Sequence, residues 1–255
     1  MVDLLQHVTE SGFPLVDGII HVFVGGSELH GAKVHGTDDL DIYGAYIEPP
    51  ELMLGLETLP HYVWSTAGND RRNGPADVDV TLYSLKKWTT LACKGNPTAL
   101  HFLFAKDWLR NPIWAEVVAN KDSFLSRTCA KHFMGFANDQ LARVSGRKGR
   151  GRKGQRPELE EKFGYDVKAA MHGIRLLNEC KEILLSGTIT LPRPERDLLI
   201  RVRTGKFSLE RVLDMANRLF TECEGAVEHS VLPEKVDRKA VSDILTRAYL
   251  RAWKA

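Results

Sequence analysis

Apolar and polar positions along this chain change rhythm once, near residue 110. Ahead of that point, short apolar runs are separated by polar breaks. Ile19 to Val24 is β-branched and aromatic and ends at Gly25-Gly26, which predicts a strand followed by a sharp turn. Leu40 to Ile47 alternates until Pro49-Pro50 stops it, predicting a second strand. Val78 to Tyr83 predicts a third, with Asp77, Asp79 and Thr81 on one face and Val78, Val80 and Leu82 on the other. Thr66 to Pro75, which carries Arg71 and Arg72, reads as the loop before it.

After Ser84 the period becomes helical. Leu85 to Lys94 predicts a helix that Gly95 ends, and Asn96-Pro97 starts another with a capping residue and a first-turn proline. Further helices are predicted near 112–122, 127–144, 159–186, 208–223 and 238–253, separated by Gly187, the Pro192/Pro194 pair and Pro233. No strand is predicted beyond Asn111. The pattern therefore predicts an α+β chain: a small strand-and-helix module over 1–110, then a helical module over 111–255.

Composition changes this picture little. The apolar fraction of 43% and charged fraction of 27% are those of an ordinary globular protein, and no apolar run is long enough to span a bilayer. The N-terminus lacks a signal-peptide pattern, and the four cysteines form no CxxC pair, so the expectation is a cytoplasmic protein without a disulfide framework or zinc site. Net charge is only +2, so binding of nucleic acid would depend on where charge lies rather than on its sum. One segment is biased. Arg143 to Arg156 alternates basic residues with glycine and has no acid, which predicts a mobile basic loop. Its Arg147, Lys148, Arg150, Arg152 and Lys153 are candidates for phosphate contacts. Without interleaved aromatics, such contacts would be weakly sequence-selective.

Candidate chemistry centres on acids. Residues two apart on a strand point the same way, so Asp39 and Asp41 can present both carboxylates to one point. Carboxylates held that close repel unless a divalent cation lies between them. Magnesium takes oxygen ligands and keeps positions open for phosphate oxygens. Gly25 and Gly26 would let backbone approach a phosphate, and a helix beginning at Ser27 would aim its amides at it, the Ser27 hydroxyl adding a hydrogen bond. A third carboxylate would complete the cage. Asp77 and Asp79 share a face, and Asp79, deeper in the apolar run, is preferred. A lone DxD or GGS is ordinary surface; the order strand, turn, helix, strand is what makes the combination informative.

These residues resemble the DNA polymerase β-type nucleotidyltransferase superfamily, whose signature is GS, a short spacer and D-x-D. They resemble more closely a predicted branch associated with RNA repair. The matching stretches are Gly26-Ser27-Glu28-Leu29-His30-Gly31, Asp39-Leu40-Asp41, Asp79 to Lys87, Lys94-Gly95-Asn96-Pro97, Phe136 to Gln140, and Tyr165 to Lys168 with Met171 to Leu176. The resemblance implies a minimal nucleotidyltransferase fold, a short mixed sheet flanked by helices over 1–110, followed by a helical domain over 111–255. It implies two Mg²⁺ ions (Mn²⁺ as an alternative), an NTP donor and an RNA acceptor. The metal role falls on Asp39, Asp41 and Asp79, and the phosphate role on Gly26 and Ser27. The sequence departs from the branch at His101, where an acidic residue is expected.

A second polar feature lies on the predicted 159–186 helix. At helical spacing Tyr165, Lys168, His172, Arg175 and Glu179 form one stripe on an otherwise apolar surface. Tyr165, Lys168, His172 and Arg175 would then hold the triphosphate or the acceptor backbone. The bland alternative is a solvated face on which Arg175 pairs with Glu179. Three functions fit the sequence: nucleotide addition to an RNA 3′ end, AMP transfer to a protein or small molecule, and RNA binding without chemistry. Oligomeric state is not legible.

Overall fold

The computed structural model describes residues 3–34, 36, 38–68, 73–144 and 156–254. They fall into two compact units whose sequences interleave: one comprises residues up to Cys93 with Thr98–Phe124 and the segment from Val236, the other Lys94–Pro97 with Leu125–Lys235. A linear cut at residue 110 passes through the first of these.

The first unit is built on four strands, β1 (Ile19–Val24), β2 (Leu40–Tyr46), β3 (His61–Ser65) and β4 (Val78–Ser84), in the spatial order β1-β2-β4-β3. β1 and β2 are antiparallel, β2 and β4 parallel, and β3 runs antiparallel to β4 along the edge. The expected mixed sheet is thus present. The three strands predicted from alternation form at their predicted positions to within a residue. β3 is an addition. His61 and Val63 on it are exposed, while Tyr62 and Trp64 pack against the core, so its apolar face rests on two aromatic residues in a five-residue strand.

Alternation puts two different surfaces on the sheet. Val22, Ile42, Tyr46, Val80 and Leu82 face helix α1 (Leu4–Glu10), packing with its Leu4 and Val8 and with Phe13. The other face carries His21, Phe23, Tyr43 and Tyr83. These rings gather on Phe102 of α5 (Pro97–Phe104), counting as α2 and α3 the short turns Gly26–Leu29 and Pro50–Leu54, and as α4 Leu85–Cys93. Trp88 of α4 and Trp114 of α6 (Pro112–Ala119) complete this aromatic layer.

His21 is fully buried in that layer. Its ring stacks on Trp114 at 4.3 Å between centroids and 9° between planes, with its Nδ1 3.5 Å from Asp107 Oδ1. Burial depresses the imidazole's affinity for a proton, and the nearby Asp107 carboxylate offsets only part of this. In the unfolded chain the same imidazole takes up a proton near its ordinary value of 6.5. Folding stability is therefore complete above that value and is lost as pH falls through the lowered folded value. The thermal midpoint should fall between about pH 7.5 and about pH 5.5, and His21→Phe should flatten that fall while keeping the ring stack. An unchanged slope in the variant would assign the acid sensitivity to other groups.

The C-terminal helix α12 (Arg238–Trp253) belongs to this unit; α7 to α11 are Cys129–Val144, Pro157–Phe163, Val167–Ser186, Arg196–Arg203 and Leu209–Glu228. Tyr249 of α12 donates its hydroxyl to the buried Glu48 carboxylate and accepts the Lys86 amide at 3.2 Å, and Trp253 Nε1 donates to the Glu48 carbonyl at 2.9 Å.

The second unit, α7 to α11, is helical as expected, with α9 at its centre and α7, α10 and α11 packed around it. The predicted 159–186 helix is two helices. Gly164, at φ +81°, ends α8, and Asp166 caps α9 by accepting the Ala169 amide at 2.9 Å. Among the described residues no helix is long and apolar enough to cross a membrane.

Candidate metal centre

The carboxylates meet where β2 and β4 lie side by side. Parallel pairing sets Asp41 opposite Asp79, and Asp39 stands just before β2, two residues from Asp41 and so on the same side. Each of the three offers an oxygen, and these oxygens all lie within 4.8 Å of one another. All three residues are partly buried. They project from the sheet face that carries Phe23 and Tyr43.

The fold uses the Asp77 and Asp79 carboxylates differently. Asp77 is buried and is used by its own loop, its Oδ1 accepting the Thr66 hydroxyl at 2.7 Å and its Oδ2 the Gly74 amide at 2.6 Å. Asp79 is in the cluster. Its Oδ1 is buried and has no hydrogen-bond partner among the described residues. A buried carboxylate oxygen without a donor is costly, and a bound cation is a common resolution. Three oxygen donors and no sulfur or imidazole suit a hard divalent ion such as Mg²⁺ or Mn²⁺. The residues present therefore fit the metal that the D-x-D pattern suggested.

The glycines have a more local reason than phosphate access. Gly26 has φ +56°, and a Cβ added there would lie 1.8 Å from Asp41 Oδ2. A Cβ on Gly25 would lie 2.2 Å from the Tyr43 ring. The turn is thus bare of side chains because Asp41 and Tyr43 occupy that space. Its amide is held as well, Gly25 N–H donating to the Asp41 carbonyl at 2.8 Å. The helix expected to start at Ser27 is a single turn, α2, with Ser27 partly buried inside it. One turn carries little of a helix dipole.

Residues 1–246 match RlaP, described as the RNA repair pathway DNA polymerase beta family. The chain belongs to this family. Membership of RlaP together with a triad able to coordinate a metal supports a nucleotidyltransferase-like catalytic activity. A search of curated proteins found no match. Among solved structures, the nucleotidyltransferase-like protein from Exiguobacterium sibiricum is similar at 10% identity, covering 87% of this chain and 72% of that one. Its TM-score of 0.31 is too low to carry an argument about the site.

In this RlaP chain the polar stripe is only partly as expected. Tyr165 precedes α9 and is buried, its hydroxyl donating to the Phe207 carbonyl at 2.8 Å. The stripe on α9 itself begins at Lys168 and continues through His172, both partly buried, to Arg175. Arg175 is buried and its Nη1 donates to both oxygens of the fully buried Glu179, at 2.9 and 3.0 Å. That is the i, i+4 pairing the bland alternative foresaw, now inside the protein, where separating the two charges would be expensive. His101, the departure from the branch, is buried with its ring 4.8 Å from that of His30. The basic residues Arg147, Lys148, Arg150, Arg152 and Lys153, like Arg71 and Arg72, lie outside the described residues.

Sequence reasoning missed Asn73. Its Nδ2 donates to Asp39 Oδ2 at 2.9 Å and also to Asp79 Oδ2. No spacing rule links a loop asparagine to two aspartates on different segments, so only the tertiary structure exposes it.

Proposed function

We propose that this protein transfers a nucleoside monophosphate from an NTP to a hydroxyl acceptor, the acceptor being an RNA 3′ end. The observation that carries the reading is the convergence of Asp39, Asp41 and Asp79 beside Gly26, with an unpartnered Asp79 oxygen inside the cluster. Asp39, Asp41 and Asp79 would hold two Mg²⁺ ions, Mn²⁺ being the alternative. Such ions, when bound, neutralise the triphosphate and favour the alkoxide form of the acceptor. The acceptor oxygen forms a bond to the α-phosphorus of the NTP, and the bond from that phosphorus to the bridging oxygen breaks, releasing pyrophosphate. The hydroxyl proton passes to a carboxylate oxygen of Asp79. The Gly25-Gly26-Ser27 turn lies against the triphosphate, with the Ser27 hydroxyl as a donor. Lys168 contributes positive charge and His172 a ring nitrogen to substrate binding, Arg175 takes part while keeping its ion pair with Glu179, Tyr165 shapes the segment before them, and the basic residues Arg147 to Lys153 hold the RNA backbone.

An RNA acceptor is supported by the family's description as an RNA repair pathway family. Incubation with each labelled NTP, Mg²⁺ and a mixed RNA pool should extend RNA 3′ ends. Deletion of residues 146–154 should weaken RNA extension by about tenfold or more at near-physiological salt, because several phosphate contacts are lost together. Transfer to protein or small molecules that survives the deletion intact, with no RNA product from any NTP, would replace RNA by AMP-type transfer to another acceptor.

A further inference from the structure

Asn73 lies between β3 and β4, and its side chain reaches into the carboxylate cluster. A primary amide carries two N–H donors. Here one goes to Asp39 and the other to Asp79, so the nitrogen ties together two acids from separate segments. Its amide oxygen accepts the Ser65 hydroxyl at 3.3 Å, linking the tie to the end of β3. The loop has other anchors: Asp77 already holds Thr66 and Gly74. The described residues around Asn73 thus have hydrogen bonds besides those it makes to the aspartates.

What does need the amide is the pair of acids. Two carboxylates close together destabilise each other unless positive charge lies between them. The Asn73 N–H pair supplies partial positive charge where a divalent ion would supply full charge, and it uses the same class of partner, carboxylate oxygen. The Asp79 oxygen that remains without a donor shows that the amide satisfies the cluster only in part.

We infer that Asn73 is a positioning residue that stands in for the cation, holding Asp39 and Asp79 in place in the metal-free protein and letting go of them when the ion binds. The inference rests on the metal role of the triad proposed above. It couples metal entry to the Asn73-Gly74 segment: the same event that fills the site frees the amide. In the wild-type protein part of the binding energy is spent on breaking two charge-assisted hydrogen bonds.

The test uses the full chain and Mn²⁺ or Mg²⁺ alone. Asn73→Ala, and the near-isosteric Asn73→Leu, should lower the metal-free thermal midpoint yet reach the wild-type midpoint at saturating Mn²⁺. Calorimetric titration should give a Mn²⁺ Kd about tenfold tighter than wild type, since no amide bonds to charged oxygens need be broken. Midpoints that fall equally with and without Mn²⁺, or a Kd that is unchanged or weaker, would overturn the inference and leave Asn73 as a loop staple or a ligand. The wild-type protein offers a readout free of any folding defect. In protein labelled with ¹⁵N-asparagine, the side-chain amide signal missing from Asn73→Leu should shift on Mg²⁺ addition, and should not shift in Asp39→Ala. A signal indifferent to Mg²⁺ in a protein that binds the ion overturns the inference alone. Wild-type protein that binds neither ion any better than Asp39→Ala removes the metal reading itself, and the inference with it.

Discussion

Asp79→Asn is expected to reduce nucleotide transfer by about a thousandfold while leaving the metal-free protein as stable as wild type or slightly more so. The two effects come from one cause. Asp79 shares a small volume with Asp39 and Asp41, so neutralising it relieves repulsion in the metal-free state and removes a ligand from the filled state. Asparagine keeps the shape and can still offer Asn73 an oxygen, so packing is retained. Transfer assays with labelled NTP and Mg²⁺, paired with thermal midpoints measured in EDTA, read both effects. Asp77→Asn is the contrast. Its carboxylate holds Thr66 and Gly74 within the loop, so the change should cost stability, about 1–2 kcal/mol, and much less activity. A variant of Asp79 that retained full activity, or an Asp77 variant that lost it, would reverse the assignment.

Gly26→Ala should be nearly as damaging to activity, by a different route. The added Cβ would lie 1.8 Å from Asp41 Oδ2, and the backbone there has φ +56°. Strain from the left-handed conformation costs about 1 kcal/mol, which lowers the melting temperature by only about 2–4 °C in a chain of this size. The clash is with the end of a side chain, so the fold escapes it by rotating Asp41 away. That rotation withdraws a carboxylate from the cluster. Mn²⁺ affinity should therefore fall by about tenfold or more and transfer by about a hundredfold, with circular dichroism unchanged. Retained Mn²⁺ affinity would show that Asp41 keeps its place or is not a ligand.

Both predictions involve residues the sequence brings to notice, but for reasons it only partly contains. Ile19 to Val24, Leu40 to Tyr46 and Val78 to Ser84 were legible because alternation and β-branching coincide in them. His61–Ser65 was passed over although Tyr62 and Trp64 alternate inward, because five residues with exposed His61 and Val63 give only two apolar positions to read. The break at Gly164 was hidden because helical spacing continues on either side of a left-handed glycine. The short helix Arg196–Arg203 has an apolar side, but two turns with four charged residues in eight are too few for a helical period to be read. In the candidate site, period-two geometry predicts that Asp39 and Asp41 point together. It leaves Asp77 and Asp79 equivalent, and only the partners taken by Asp77 separate them. Gly26 was read as letting the backbone approach a phosphate; the second reason for a glycine there, that Asp41 occupies the space a Cβ would need, was not legible. Asn73 had no sequence signal at all, because its two partners come from other parts of the chain.

The anchoring of Glu48 by Tyr249 and Trp253 has a consequence for how the protein is made. Translation is vectorial, so the ribosome delivers the strands well before the helix that seals them, with all of Leu125–Lys235 synthesised in between. During that interval the nascent sheet keeps a carboxylate destined for burial and lacks the hydroxyl that receives it.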